Sequence, residues 1–340
     1  MTKLTGLKWK LDTGAFVRSS PAVVDGVVYV GTDGGLLLAV DAESGEKLWA
    51  FRTNGDVVSS PAIAGNTGYL GSGDGFVYAV DIRTGREKWK FLIGTQIGVS
   101  GSPGQVQSSP AVSDGVLYIG GSNFMYALDA ESGVERWRFR TDGTIWSSPA
   151  IDAGVVFFGS VIGTFYAVEV DSGKEKWRFE GAGEVNYPPA IVNKLVYFAG
   201  GRSLYALNTS TGEIKWRSET VGESGTGPAI AEGIVVIGSR GEYRSRDHFL
   251  YAVDSSTGQD RWSLEVGGRI NSNPTIAGGV VYFASEDDYV RAAAIGTGEE
   301  LWRFKTQYNE HKLRRPHSSP VVVNGVLYIG SDDHFLYAIH

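Results

Sequence analysis

GSGDGFVYAVDIRTGREKW, residues 71–89, is the stretch on which the fold turns. It holds a short apolar segment and a polar Asp81-to-Gly85 turn, and it leads into a segment in which Trp89 and Phe91 alternate with Lys88 and Lys90. Period-two alternation is the signature of a strand with one covered face. An Asp-x-x-Ser/Thr-Gly run suits a tight turn that ends in a left-handed glycine. The same sentence recurs on both sides: SSPAVVDGVVYVGTDGGLLLAVDAESGEKLW (19–49), SSPAIAGNTGYLGSGDGFVYAVDIRTGREKW (59–89) and SSPAVSDGVLYIGGSNFMYALDAESGVERW (108–137). Its closing Trp stands at 9, 49, 89, 137, 177, 216, 262 and 302, mostly about 40 residues apart. The last copy starts at Ser318 and reaches His340 without its Trp, and LTGLKW (4–9) supplies the missing ending, so the units number eight.

Each unit reads as four short strands: one after SSP, a VVYVG-like second, an LYALD-like third and the Trp-bearing fourth. Asp25-Gly26 and Asp114-Gly115 favour a tight hairpin between the first two. One such sheet cannot cover both of its faces, whereas radial packing of eight covers them all. The expected fold is therefore an all-β, eight-bladed propeller of four-stranded antiparallel blades, one domain over 1–340. Residues 7–13 should add the outermost strand to the blade begun at Ser318, so truncating either end should open the ring. The repeated Trp is assigned to the seam between blades, where a large ring buries the most area.

The repeat resembles that of the pyrroloquinoline quinone (PQQ) propellers, and 71–89 matches it closely. No Gly-His or Trp-Asp pair of the WD type is present. The resemblance covers nearly the whole chain and implies the propeller fold. It points to two kinds of relative: the quinoprotein dehydrogenases, and non-catalytic outer-membrane barrel-assembly lipoproteins that also have eight blades. The latter implies an extracytoplasmic place. The N-terminus MTKLTGLKWKLD has no basic-then-apolar leader pattern, which leaves a cytoplasmic protein or an exported one whose leader is not in this sequence.

Eight copies form an internal alignment. Loops before strand one and between strands two and three share one face of a propeller, and the two remaining turns share the other. The second face is monotonous. The insertions 94–106, 240–248 and 307–316 all fall on the first, as do His248, His311, His317 and His334. The position three residues before the strand-one Pro holds Arg18, Val58, Gln107, Trp146, Asn186, Gly225, Asn271 and His317. Strand one is innermost, so these residues should ring the channel mouth. Arg18, Gln107, Trp146, Asn186, Asn271 and His317 are the candidate ligand-binding set: a cation, a stacking ring, three carboxamides and an imidazole. Arg240, Arg244, Arg246, His311, Arg314 and Arg315 form a candidate cationic lip for an acidic partner segment.

Composition excludes several classes. A chain of 340 residues with 31 basic and 38 acidic groups carries −7, against a nucleic-acid partner, which requires a basic surface. No apolar run is long enough for a membrane span. The absence of cysteine removes disulfides and thiolate chemistry. A PQQ enzyme would find ingredients in Trp146 for stacking, in Arg18, Arg202, Arg269 or Arg315 for carboxylates, and in Asn186, Asn271, Glu286 and Asp287 for calcium. It would lack the adjacent Cys pair and a roof that excludes water. Glu286-Asp287-Asp288 and Asp332-Asp333 are expected as solvated turns, and the histidines show no zinc spacing, so no metal site is assigned. The leading reading is a monomeric, non-catalytic scaffold that holds a partner protein segment or a small polar ligand at the mouth. The alternatives are a minimal PQQ-dependent oxidoreductase binding quinone and calcium there, and a cofactor-independent enzyme with His317 as base.

Overall fold

The computed structural model describes residues 6–93, 106–219, 223–241, 248–306 and 318–340. They form eight antiparallel sheets and no helix. The first blade shows the pattern. After β1 (Leu7–Asp12), which belongs elsewhere, come β2 (Ala22–Val24), β3 (Val27–Thr32), β4 (Leu36–Asp41) and β5 (Lys47–Arg52), hydrogen-bonded in that order. The hairpin joining β2 to β3 uses Asp25 and Gly26, both with positive φ (48° and 75°), as a twisted two-residue turn demands. β3 and β4 are buried almost throughout, whereas β5 is covered on one face only. That difference places the core between blades and the Lys- and Arg-bearing fourth strands at the outer wall, where charge blunts an open edge.

Ring closure follows the expected route. β1 pairs antiparallel with the strand Phe335–Ile339, and Gly6 and His340 exchange two backbone hydrogen bonds of 2.9 and 3.0 Å. The eighth blade thus draws its outermost strand from the start of the chain.

The repeated Trp is a latch between neighbours. The Trp49 indole N–H donates to the Ile82 carbonyl of the next blade at 3.0 Å, and its ring lies against Gly85 in that blade's outer turn. Trp9, Trp89, Trp137, Trp177, Trp216 and Trp262 repeat the contact on Ala42, Ala130, Val170, Thr209, Ser255 and Ile295. Gly85 has φ +68°, and a Cβ there would sit 2.8 Å from the ring, so both backbone and space demand glycine. Trp302 is the exception. The blade after it has the Gly6–His340 junction in place of that turn, and Trp302 stacks instead on Phe304.

Candidate functional site

The Ser-Ser-Pro motif positions the channel mouth, and its two serines do different work. The first ties its own blade: Ser19 Oγ accepts the Gly31 N–H at 3.0 Å, and Ser59, Ser108, Thr226, Ser272 and Ser318 do the same for Gly71, Gly120, Gly238, Ala284 and Gly330. The second ties one blade to the next. Ser20 N–H donates to Ser60 Oγ, Ser60 to Ser109 and Ser109 to Ser148, each at 2.9 Å. Gly227 then donates to Asn273 Oδ1, Asn273 to Ser319 Oγ and Ser319 to Ser20 Oγ, at 2.7 to 3.0 Å. These six bonds make a belt around the axis, broken where YPPA (187–190) replaces SSPA and puts Pro188, without hydroxyl or N–H, in the second position.

The residue just before the site position is buried as well. Val17 packs where a side chain on Gly330 would be, as Val57 does on Gly31 and Ile145 on Gly120. Held on both sides, the residue between is turned towards the axis. A cavity of about 360 Å³ lies there, lined by Arg18, Val58, Gln107, Trp146, Asn186 and Asn271. Five of the six expected ligand-binding residues therefore share one mouth. His317 lies outside the described residues, as do Arg244, Arg246, His311, Arg314 and Arg315.

Six further residues line the cavity: Ser20, Ser60, Asn273 and Ser319 of the belt, and Arg240 and Tyr187. Gly225 leaves the sixth blade without a side chain at this position. A Cβ on it would meet the Arg240 stem at 2.9 Å, so Arg240 fills the place from the neighbouring hairpin. The sequence places Arg240 in the candidate cationic lip, and the structure carries it into the cavity lining itself. Tyr187 was missed altogether, although the departure of YPPA from SSPA was its signal: with no serine to bond the second strand, the aromatic ring turns into the mouth. Arg240 lies over Tyr187 at 5.7 Å from the ring centre, and its Nε donates to Asn271 Oδ1 at 2.9 Å. Asn271 Nδ2 in turn donates to Glu286 at 2.7 Å. Arg202 and Arg269 do not line the cavity.

The family model described as outer membrane protein assembly factor BamB matches residues 5–104, 93–187, 180–247 and 200–340. The chain belongs to the BamB family. No functionally curated protein matches the sequence. Among solved structures, BamB from Moraxella catarrhalis is 20% identical with a TM-score of 0.79, each chain covered to 99%. The computationally designed Ika8 protein is 17% identical with a TM-score of 0.82, over 99% of this chain and 100% of that one. The quinohemoprotein alcohol dehydrogenase from Comamonas testosteroni is 16% identical with a TM-score of 0.82, over 99% of this chain and 76% of its own. At such identities these structures establish the shared propeller and nothing finer.

The quinoprotein neighbours raise the question of whether the mouth of this BamB-family chain suits a quinone with calcium. Its donor set does not. The carboxamide oxygen of Asn271, one of the expected cation ligands, already accepts from the Arg240 guanidinium, and the amide nitrogen faces Glu286. A positive group thus stands where the ion would need only oxygens. Asp287 is engaged elsewhere, bonded to Ser285 and paired with the buried Arg291. Among the described residues no three acidic or imidazole groups converge as metal ligands.

The acidic turns also depart from expectation. Asp332 and Asp333 are buried, 3% and 9% exposed, rather than solvated. Asp333 accepts from the Tyr337 hydroxyl at 2.5 Å and the Phe335 N–H at 3.1 Å. Asp332 accepts from Arg18 Nε at 3.3 Å, and Arg18 Nη1 reaches Asp33 at 2.9 Å, so one guanidinium bridges the eighth and first blades.

Burial pushes the Asp33 carboxyl up to about 6, with Asp56 and Asp332 adding to the rise and Arg18 opposing it. The folded state then holds more protons than the unfolded chain between about pH 4 and 6, so this group's contribution to stability falls as pH rises through that window. Asp33→Asn should remove the dependence. Relative to the wild type, the variant should gain about 1–2 kcal/mol at neutral pH and little below pH 4, after allowance for the part of the side chain that water reaches. Urea unfolding of both proteins across pH measures the difference, and parallel curves would refute it.

Proposed function

We propose that this BamB-family chain is a non-catalytic binding propeller, a monomer of one domain over 1–340, which holds a segment of a partner protein at the channel mouth. An extracytoplasmic place accords with its family. One observation supports this reading above the rest: a single structural position, repeated around the axis, carries Arg18, Val58, Gln107, Trp146, Asn186 and Asn271 into one open cavity. The opposite face repeats itself. There Asp41 Oδ1 accepts from the Glu43 and Ser44 N–H groups and the Ser44 hydroxyl, and Asp81, Asp129 and Asp254 cap their own turns in the same way. Side chains spent on turn geometry leave little to vary for a ligand. An exposed Trp with Arg and Tyr nearby is the composition of an interface anchor.

Photo-crosslinking tests the reading. A crosslinker replacing Trp146 should give a discrete partner adduct in cells, and one replacing Asn324 in an opposite turn should give none. Adducts from both faces, or from position 324 alone, would reject the mouth as the site. PQQ with calcium should leave the melting temperature of the wild type unchanged.

A further inference from the structure

The mouth is uneven in one respect that bears on what it binds. Among the described residues, its Trp146–Arg240 side has hydrogen-bond donors with no acceptor. The belt stops at Ser148: its N–H corresponds to those that Ser20, Ser60 and Ser109 give to the next blade, but the next blade offers Pro188. Nothing among the described residues accepts that N–H. Trp146 is 43% exposed, and its indole N–H has no partner there either, whereas the seven latch indoles each donate to a carbonyl. Arg240 gives only its Nε, to Asn271, and no described carboxylate pairs with its guanidinium. The other described arginine of the mouth, Arg18, is already neutralised by two carboxylates. Among the described residues no Asp or Glu lines the cavity.

From this juxtaposition we propose that the Trp146–Tyr187–Arg240 side of the mouth, with the Ser148 N–H two residues along the chain from Trp146, is a subsite for an acidic, extended peptide. A partner side-chain carboxylate meets Arg240 over Tyr187, a partner backbone carbonyl takes the Ser148 N–H, and a neighbouring apolar side chain covers the Trp146 ring. Three features select this occupant. An unpaired guanidinium is matched best by a carboxylate, which it can bind through two parallel hydrogen bonds. A lone main-chain donor beside the strand Ala150–Asp152 is what an extended segment completes by adding to a sheet edge. The indole offers a broad apolar face with a donor at its edge, which suits an amphipathic side chain. The inference rests on the mouth being the partner site and adds the chemistry of the partner.

The test is fluorescence anisotropy with a labelled peptide alternating Glu and Tyr, a Lys-Tyr counterpart, and oligogalacturonate as a non-peptide polyanion. The Glu-Tyr peptide should bind the wild type, and Arg240→Gln or Trp146→Ala should each weaken it by about tenfold or more. Arg83→Gln, the same charge change on the opposite face, should hold binding within about twofold, since exposed distant charges are screened. Added salt should weaken the wild type more than Arg240→Gln. Thermal melts establish that the variants are folded. If the Lys-Tyr peptide binds as tightly, still sensitive to Trp146 but not to Arg240, the acidic assignment falls while the mouth stands. If oligogalacturonate outcompetes the peptide through Arg240, the subsite is for anionic glycan and the proposal is wrong. If no peptide binds in a Trp146-dependent manner, both readings fail together.

Discussion

Deleting residues 1–12 should remove most of the stability of this propeller. The lost strand carries Trp9, which is 9% exposed, latches onto Ala42 and packs against Tyr328, Leu336 and Ala338 in the seam between the eighth and first blades. Truncating one buried Trp costs about 3–5 kcal/mol by itself, against a total of about 5–15 kcal/mol for an ordinary domain. The deletion also strips the ladder from Phe335–Ile339, leaving a buried strand with an open edge. Loss of the cooperative unfolding transition, or association through the new edge, is the outcome to look for by circular dichroism and sedimentation. A circular permutant supplies the control. Because Gly6 and His340 are hydrogen-bonded to each other, joining them with a short linker and reopening the chain at Gly65-Asn66 should preserve the melting transition. A truncated protein that melts like the parent would mean that the first strand does not close the ring.

Gly85→Val should be nearly as damaging, although it adds only three carbons. Gly85 has φ +68°, a conformation that β-branched residues rarely adopt, and its missing side chain is where the Trp49 ring lies. Backbone strain contributes about 1–2 kcal/mol. Displacing Trp49 from its seam, with the loss of its bond to Ile82, adds about 3 kcal/mol more. Gly154→Val separates the two terms: its φ is +76°, but nothing lies within 4 Å of an added Cβ, so it should show the strain alone. Urea unfolding should place Gly85→Val at least about 2 kcal/mol below Gly154→Val, the difference being the latch. Equal losses would leave Trp49 with no structural task.

Nearly all of the architecture was open to reading in the chain, and the site was open in part. Alternation around Trp89, the Asp-Gly hairpins and the spacing of eight Trp residues dictated four-stranded blades, their number and the joining of the two ends, because each signal lies within one unit and repetition averages out local noise. The position before Ser-Ser-Pro was legible for the same reason, since a residue that varies where its neighbours repeat can be found by laying the copies over one another. What only the tertiary structure decided was which side chains meet. Arg18 and Asp332 are 314 residues apart and touch only because the ring closes. Arg240 belongs to the mouth because Gly225 makes room for its stem, and Tyr187 because Pro188 interrupts a belt that runs between blades. Asp332 and Asp333 read as surface turns until the Arg18 and Tyr337 side chains cover them. Periodicity fixes which face a residue takes, but the partners available there come from other blades, and only packing in three dimensions brings them within hydrogen-bonding range.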